Sequence, residues 1–523
     1  MVTLTIDDIS VTVSEGSTVL EAARAAGIAI PTLCHLPGRA PRPSCYVCMV
    51  RVNGGSRLMP ACATPVVDGM RVESQSESVL AVRRTAIELL LSEHLGDCVG
   101  PCEGVCPAHL ETPRMMRQIA TGQFREALIT VKRSIALPAT LGRICPELCE
   151  KGCRRAGHDG PVAVCLLKRF VADHDLASGD PYIPPCAPST GKRVAIIGSG
   201  PAGLSAAYYL LQQGHACTLF DAHALPGGML RYGVPEELLP RDVLDAEIRV
   251  ILQMGAEFRG NVRIGAELSL DQLRAEYHAV LLATGALQER EFLEAGLARS
   301  AQGVRVDRRT MQTSLPGVFA AGSVVIASRH AVRAVADGRA AAEAIGHYLA
   351  GVAPSRTGKE FSVHAGRLEP EELRPYLACG SPEPRLIPSG GRAAGFTPEE
   401  AQREAQRCLQ CACARADTCA LRDIAERLGA NPTRFRGTRR AFEVDTSHPE
   451  VRFEPGKCIA CGICVRIAAE QGETLGLGMQ GRGFGLHPAV PFRESLKAGL
   501  RTAARACAAA CPTGALVLVS DRG

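Results

Sequence analysis

Four cysteines near the start, Cys34, Cys45, Cys48 and Cys62, follow the spacing C-x10-C-x2-C-x13-C. Four thiolates on short loops can close around a two-iron cluster, and the same set can close around zinc. More runs follow. "EHLGDCVGPCEGVCPAHLETP" supplies His94, Cys98, Cys102 and Cys106, and "GRICPELCEKGC" supplies Cys145, Cys149 and Cys153. "EAQRCLQCACARADTC" gives Cys408, Cys411, Cys413 and Cys419 within twelve residues, a set that suits one four-iron cluster or zinc. The last run, "KCIACGICV" with the more distant "CAAACPTGAL", carries Cys458, Cys461, Cys464 and Cys511. The whole chain has 23 cysteines, many at spacings of two to five. In a reducing compartment such clusters are metal or iron-sulfur ligands far more often than disulfides. The chemistry they predict is one-electron transfer.

A second constellation is built from glycine. "RVAIIGSGPAGLSAAYYLLQQGHACTLFD" puts Gly198, Gly200 and Gly203 between an apolar strand and a helix, with Pro201 and Ala202 inside the loop and Asp221 after the next strand. Gly198 permits a tight turn, Gly200 lets backbone approach a pyrophosphate, Gly203 allows close helix packing, and Asp221 can bind a ribose. A glycine-rich turn in an unrelated α/β fold is the bland alternative. Further along, Thr284 and Gly285 end one apolar strand, and Gly322 and Ser323 follow a second.

These residues need elements to position them. A chain of 523 residues exceeds what one core serves, so several domains are predicted. The architecture is multidomain, α+β and α/β. Residues 1–75 alternate Val2, Leu4, Ile6 and Ile9, Val11, Val13 around Asp7-Asp8, the pattern of a hairpin, followed by a helix with Ser17 as N-cap and Gly27 as stop. Residues 76–185 turn helical, with Thr112 as a cap and Pro113 in the first turn. An α/β pattern occupies 191–350, a Pro/Gly-rich connector 351–400, and a second cysteine-rich module 401–523. A net charge of +5 on this length implies neither a nucleic-acid nor a membrane partner. The opening "MVTLTIDDIS" has no export-signal pattern, and no stretch reaches ~18 uninterrupted apolar residues, which predicts a cytoplasmic protein.

"GGMLRYGVPEELLPRDVL", which contains Gly228 and Arg231, resembles the signature of the glutamate synthase small-subunit family of FAD oxidoreductases. "YHAVLLATGA" and "TSLPGVFAAGSVV" resemble its other flavin-domain landmarks, although Ser323 stands where these flavoproteins carry Asp. The resemblance implies FAD rather than NAD. In that family the two landmarks flank an inserted domain that binds NADPH. Here 31 residues separate Gly285 from Gly317, too few for such a domain, which needs ~100 or more.

The cysteine runs carry resemblances too. Residues 1–75 look like the β-grasp 2Fe-2S domain of the large iron-sulfur subunit of complex I and of hydrogenases. The helical segment is similar to the two-cluster domain of the glutamate synthase and dihydropyrimidine dehydrogenase families. By that family's pairing, one 4Fe-4S cluster would use Cys98, Cys102 and Cys153, with His94 as a ligand or merely a surface neighbour. The other would use Cys106, Cys145 and Cys149. Its fourth ligand is expected at Lys168, which cannot coordinate iron, so Cys165, one helical turn earlier, is the candidate against a buried structural role. The C-terminal module resembles a two-cluster ferredoxin that has kept one site, Cys458, Cys461, Cys464 and Cys511, and lost the other at Ala468 and near Ala503. Cys186, Cys217, Cys379 and Cys507 read as packing residues.

Together these features predict FAD, one 2Fe-2S cluster and two to four 4Fe-4S clusters in an electron-transfer oxidoreductase subunit. The expected partners are electron donor or acceptor subunits of the diaphorase, formate dehydrogenase or hydrogenase type, with ferredoxin as a further candidate. One alternative is a self-contained NAD(P)H-dependent reductase like the glutamate synthase small subunit. Another is a non-catalytic redox-sensing or zinc-binding protein.

Overall fold

The computed structural model describes residues 1–286, 296–352, 361–437 and 442–519. The chain divides into two compact units, one of Met1–Val99, Glu360–Cys379 and Gln410–Gly523, the other of Gly100–Lys359 and Gly380–Leu409.

The first unit begins with the expected hairpin. Strands Val2–Ile6 and Ile9–Val13 pair antiparallel from Val2↔Val13 to Ile6↔Ile9. Asp7 and Asp8 take positive φ at the turn, which matches the twist of the two strands. Arg71–Glu73 adds parallel to the first strand, and Met49–Val52 with Leu58–Pro60 complete a five-stranded mixed sheet. Leu4 and Ile6 bury one face of it beneath helix Val19–Ala25. That helix is capped by Thr18 rather than Ser17: Thr18 and Glu21 form a reciprocal capping box, satisfying two amide donors at once. Gly27, at φ 72°, ends it as expected. Helix Glu77–Ser92 also belongs to this unit, because buried Arg83 donates from Nε to the Met49 carbonyl at 2.9 Å. At the C-terminal end, strands Val451–Phe453 and Leu516–Leu518 pair antiparallel, and helices Ile463–Glu470 and Ala504–Ala510 pack on each other. Ala468, Ala503, Cys507 and Ala508 fill the core between them.

The second unit combines a helical part with a parallel sheet. Its strands run in the order Val318–Ala320, Ala279–Leu282, Arg193–Ile197, Ala216–Phe220, Glu257–Arg259. All five are parallel, so helices Pro201–Gln212 and Ala331–Leu349 can cover a face of continuous apolar residues. The two landmark strands that end before Thr284 and Gly322 are neighbours in this sheet, from Val318↔Val280 to Ala320↔Leu282. Two adjacent parallel strands need only a crossover of a dozen or more residues, so the 31 residues between Gly285 and Gly317 suffice. In the helical part, Thr112 is the first helical residue and Glu111 the cap, with no side-chain capping bond. The stretch read as a connector, 351–400, holds helices Pro370–Leu377 and Gly391–Ala394 and is shared between the two units. Its residues 353–360 lie outside the described residues. Among the described residues, no helix is long and apolar enough to cross a membrane.

Candidate iron-sulfur and dinucleotide sites

In the first unit, Cys34, Cys45, Cys48 and Cys62 are all buried. The thiols of Cys34 and Cys45 share a hydrogen bond at 3.4 Å, and the Ser44 amide donates to Cys34 Sγ at 3.4 Å. The bond with Cys45 holds the Cys34 thiol down to about 5, and Cys45 is pushed up in turn. Cys48 and Cys62 form a second pair, in which Cys62 holds Cys48 down to about 7. Cys62 is pushed up by that pairing, by burial and by Cys48, Cys34 and Cys45, so the four sulfurs act on one another. Tyr46, at φ 55°, bends the loop between Cys45 and Cys48. Arg83 stands beside Cys48, a buried cation that spacing alone did not single out.

Cys458, Cys461, Cys464 and Cys511 line one cavity of about 310 Å³, walled on the other sides by Phe453, Val490 and Leu516. Positive φ at Ala460 and Gly462 wraps the loop, and the Ala460 amide donates to Cys458 Sγ at 3.3 Å. Burial pushes the Cys461 thiol up to about 12, with Cys511, Cys458 and Cys34 adding to it. The last name matters, because Cys34 belongs to the N-terminal set. Arg466, on the helix that starts at Ile463, donates to the Cys34 carbonyl at 3.1 Å. Cys34, Cys45, Cys98, Cys419 and Cys461 all border one apolar cluster with Leu33, Ile87 and Leu421. Where a second ferredoxin-like site is expected to be lost, Cys507 is fully buried and donates to the Cys464 carbonyl at 3.4 Å.

Cys98, Cys411, Cys413 and Cys419 also lie in the first unit, whereas Cys408 lies in the second. The Cys413 amide donates to the carbonyls of Asp97 at 3.0 Å and Cys98 at 3.3 Å. Thus Cys98 is joined to a residue more than 300 positions later. His94 is part-exposed as a residue, but its Nδ1 is buried without a hydrogen-bond partner. Burial pulls its imidazole down to about 4.

In the second unit, Cys106, Cys145, Cys149 and Cys165 surround Lys168. Burial disfavours this ammonium, but the thiols of Cys165, Cys145, Cys149 and Cys106 hold its pKa above the ordinary lysine value. Lys168 Nζ donates to Cys165 Sγ at 3.9 Å. A bond with Cys145 holds the Cys165 thiol down, while one with Cys149 and burial push it up, to about 12. Cys165 is therefore among the thiols and Lys168 beside them as their counter-charge. Cys102 and Cys153 sit on touching segments: a Cβ on Gly152 would lie 2.6 Å from Val105 Cγ2 and 3.0 Å from the Pro101 carbonyl oxygen. Arg155 donates to the Arg407 carbonyl at 2.7 Å, which brings the Cys408 turn to the same side. Among the described residues, no three His, Cys, Asp or Glu side chains stand close enough to hold a single metal ion. Of the cysteines read as packing residues, Cys217 and Cys507 are buried. Cys186 and Cys379 are exposed instead, because Cys186 lies in the irregular stretch 181–190 and Cys379 in the turn after helix Pro370–Leu377, and Cys379 Sγ accepts from Arg452 at 3.3 Å.

The glycine loop forms a cradle that side chains would fill. A Cβ on Gly203 would lie 1.9 Å from the Gly198 carbonyl oxygen, and one on Gly198 2.4 Å from that of Ala283. Gly228, at φ 49°, approaches Gly200 so closely that its Cβ would be 2.7 Å from Gly200 Cα. Helix Pro201–Gln212 begins at this point, with Pro201 and Ala202 in its first turn, and presents unpaired amides to an anion. Next to the cradle, the Thr284 hydroxyl is buried without a partner, and Gly285 faces open space. Gly322 packs against Ala202, since its Cβ would be 3.0 Å from that methyl, and Ser323 donates to the Ser328 carbonyl at 3.4 Å. Asp221 accepts from the Ser199 amide and hydroxyl at 2.8 and 2.6 Å and from the His223 amide and ring at 2.9 Å. Those bonds take up its acceptor positions, so it shapes the loop as well as facing the site. Arg231 donates to the Pro226 carbonyl and to Asp245, which braces the Gly227-Gly228 turn.

Residues 1–77 match the sequence model of the 2Fe-2S iron-sulfur cluster binding domain. Residues 95–180 match dihydropyrimidine dehydrogenase domain II, 4Fe-4S cluster, and 196–259 the NAD(P)-binding Rossmann-like domain. Two of the three matched models describe iron-sulfur domains and the third a dinucleotide-binding domain. The chain is 41% identical to the NADP(+)-dependent formate dehydrogenase subunit beta of Moorella thermoacetica, over 35% of this chain and 29% of that one. It is 40% identical to the NAD-dependent dihydropyrimidine dehydrogenase subunit PreT of Escherichia coli K12, over 40% of this chain and 49% of that one. The glutamate synthase [NADPH] small chain of Bacillus subtilis is 35% identical, over 40% of this chain and 42% of its own. The chain thus spans less than half the length of these curated relatives.

Proposed function

We propose that this chain is the electron-transfer subunit of a multi-subunit oxidoreductase. It would hold FAD in the Gly198–Gly203 cradle, a 2Fe-2S cluster on Cys34, Cys45, Cys48 and Cys62, and a 4Fe-4S cluster on Cys458, Cys461, Cys464 and Cys511. The observation that carries the reading is the shared apolar core of the first unit, where Cys34 and Cys461, from distant parts of the sequence, border the same cluster and Cys34 acts on the Cys461 thiol. Bound, the flavin would exchange electrons in pairs or singly and the clusters singly. The protein's own part is to fix the thiols, to exclude water from them with Leu33, Ile87 and Leu421, and to neutralise their charge with Arg83 and Lys168.

Cys106, Cys145, Cys149 and Cys165 would hold a further 4Fe-4S cluster, supported by their convergence on Lys168. Asp221, Gly228, Thr284, Gly285, Gly322 and Ser323 would complete the flavin site, Thr284 with the buried hydroxyl that lacks a partner. A donor or acceptor subunit of the diaphorase, formate dehydrogenase or hydrogenase type would supply the substrate site, in the cytoplasm. The formate dehydrogenase and dihydropyrimidine dehydrogenase relatives, both named as subunits, support this.

Anaerobic mixing of the purified chain with stoichiometric NADH or NADPH tests the reading. Neither nucleotide should bleach the visible spectrum within seconds, whereas dithionite should. Fast bleaching by either nucleotide would favour the self-contained reductase. Because the Rossmann match is to an NAD(P)-binding model, flavin released on denaturation is the companion measurement.

A further inference from the structure

The first unit contains a set of donors that no single run of cysteines spells out. The turn bearing Cys98 is fixed from two sides. Cys98 donates its amide to the Val363 carbonyl at 3.2 Å, and the Val363 amide donates back to Cys98 Sγ at 3.4 Å. On the other side, the Cys413 amide bonds to the Asp97 and Cys98 carbonyls. Cys413 Sγ occupies the place of a side chain at position 514, since a Cβ there would be 2.3 Å from it. Cys419 caps helix Ala420–Arg427, and the Ala420 amide is held by the Pro512 carbonyl at 3.1 Å. Cys98 and Cys419 meet at one apolar cluster with Val363 and Leu421, and the Cys413 amide is bonded to the Cys98 carbonyl at 3.3 Å.

A fourth donor is within the same short segment. His94 precedes Cys98 by four residues, and its buried Nδ1 makes no hydrogen bond. A buried ring nitrogen without a partner is costly unless something binds it. The Lys457 side chain passes Gly96, which lies between His94 and Cys98 in the chain: a Cβ there would be 2.6 Å from its Cε. It faces His94 and Cys98, and its Cδ would lie 3.9 Å from a Cβ on Gly514, the residue that adjoins Cys413.

We infer that Cys98, Cys413, Cys419 and His94 are the four ligands of one iron-sulfur cluster assembled within the first unit. Three thiolates with one neutral imidazole carry one negative charge fewer than four thiolates, which favours a higher reduction potential. The location, beside the loop of Cys511, puts it next to the ferredoxin-like set: Arg415 donates to the Cys511 carbonyl at 3.5 Å. The inference rests on the proposed reading only in taking the metal to be iron with sulfide.

The full chain, purified anaerobically with its clusters, decides it. Cys98→Ser, Cys413→Ser and Cys419→Ser should each abolish the same EPR signal of the dithionite-reduced protein and remove about four irons. Cys408→Ser should leave that signal intact. In the unsubstituted chain, pulsed EPR of that signal should show directly bound nitrogen, and 15N-histidine labelling should change its coupling, a readout that does not depend on any variant folding. If Cys98→Ser and Cys413→Ser abolish different signals, if Cys408→Ser abolishes this one, or if no histidine nitrogen couples to it, the assignment is wrong. Zinc without sulfide in the native chain would overturn this assignment together with the electron-transfer reading. Rapid reduction by NADH would overturn the proposed function alone.

Discussion

Cys413 Sγ fills the space in front of Gly514, so closely that a Cβ on that glycine would lie 2.3 Å from the sulfur. The residue after Thr513 must therefore lack a side chain for Cys413 to keep its position. Gly514→Ala should displace the thiol and remove one cluster, about four irons, while the Cys458 set survives. Iron analysis with EPR distinguishes the loss of one signal from general collapse.

Lys168 supplies the positive charge for Cys106, Cys145, Cys149 and Cys165. A buried cation beside a thiolate-ligated cluster favours the reduced, more negative state. Lys168→Met keeps the volume and removes the charge, so the potential of that cluster should fall by on the order of 60 mV, a tenfold change in a one-electron equilibrium. Redox titration followed by EPR measures it.

The dinucleotide cradle has no room for added atoms at Gly198, Gly203 and Gly228. Gly228→Ala puts a Cβ 2.7 Å from Gly200 Cα at a positive φ. Bound flavin should be lost with the fold retained. Gly203→Ala, whose Cβ would be 1.9 Å from the Gly198 carbonyl oxygen, should also destabilise the second unit, by ~3 kcal/mol or more. Flavin released per chain and thermal unfolding separate the two outcomes.

Cys507 and Cys511 lie four residues apart with different work. Cys507→Ala should leave iron content unchanged and cost about 1 kcal/mol, because it removes a fully buried sulfur from an apolar core. Cys511→Ala should lose a cluster. Iron per chain and the unfolding midpoint report both.

Much of this protein is written in short stretches. The Asp7-Asp8 hairpin, the Gly198–Gly203 loop and the Cys458–Cys464 loop could be read from the residues, because turn geometry and ligand spacing act over a few positions. Local signals were less reliable at boundaries. The cap fell to Thr18 because Glu21, not the residue before it, completes a reciprocal pair. The connector at 351–400 contains helices that its prolines and glycines concealed.

By itself, the sequence marked which residues are candidate donors and where a dinucleotide loop lies, since both depend on residue type and on spacing within one loop. Only the tertiary structure decided which candidate donors come near one another. Cys98 meets Cys413, and Cys34 approaches Cys461, because distant segments are brought into one apolar core, and no local spacing encodes where a chain returns to itself.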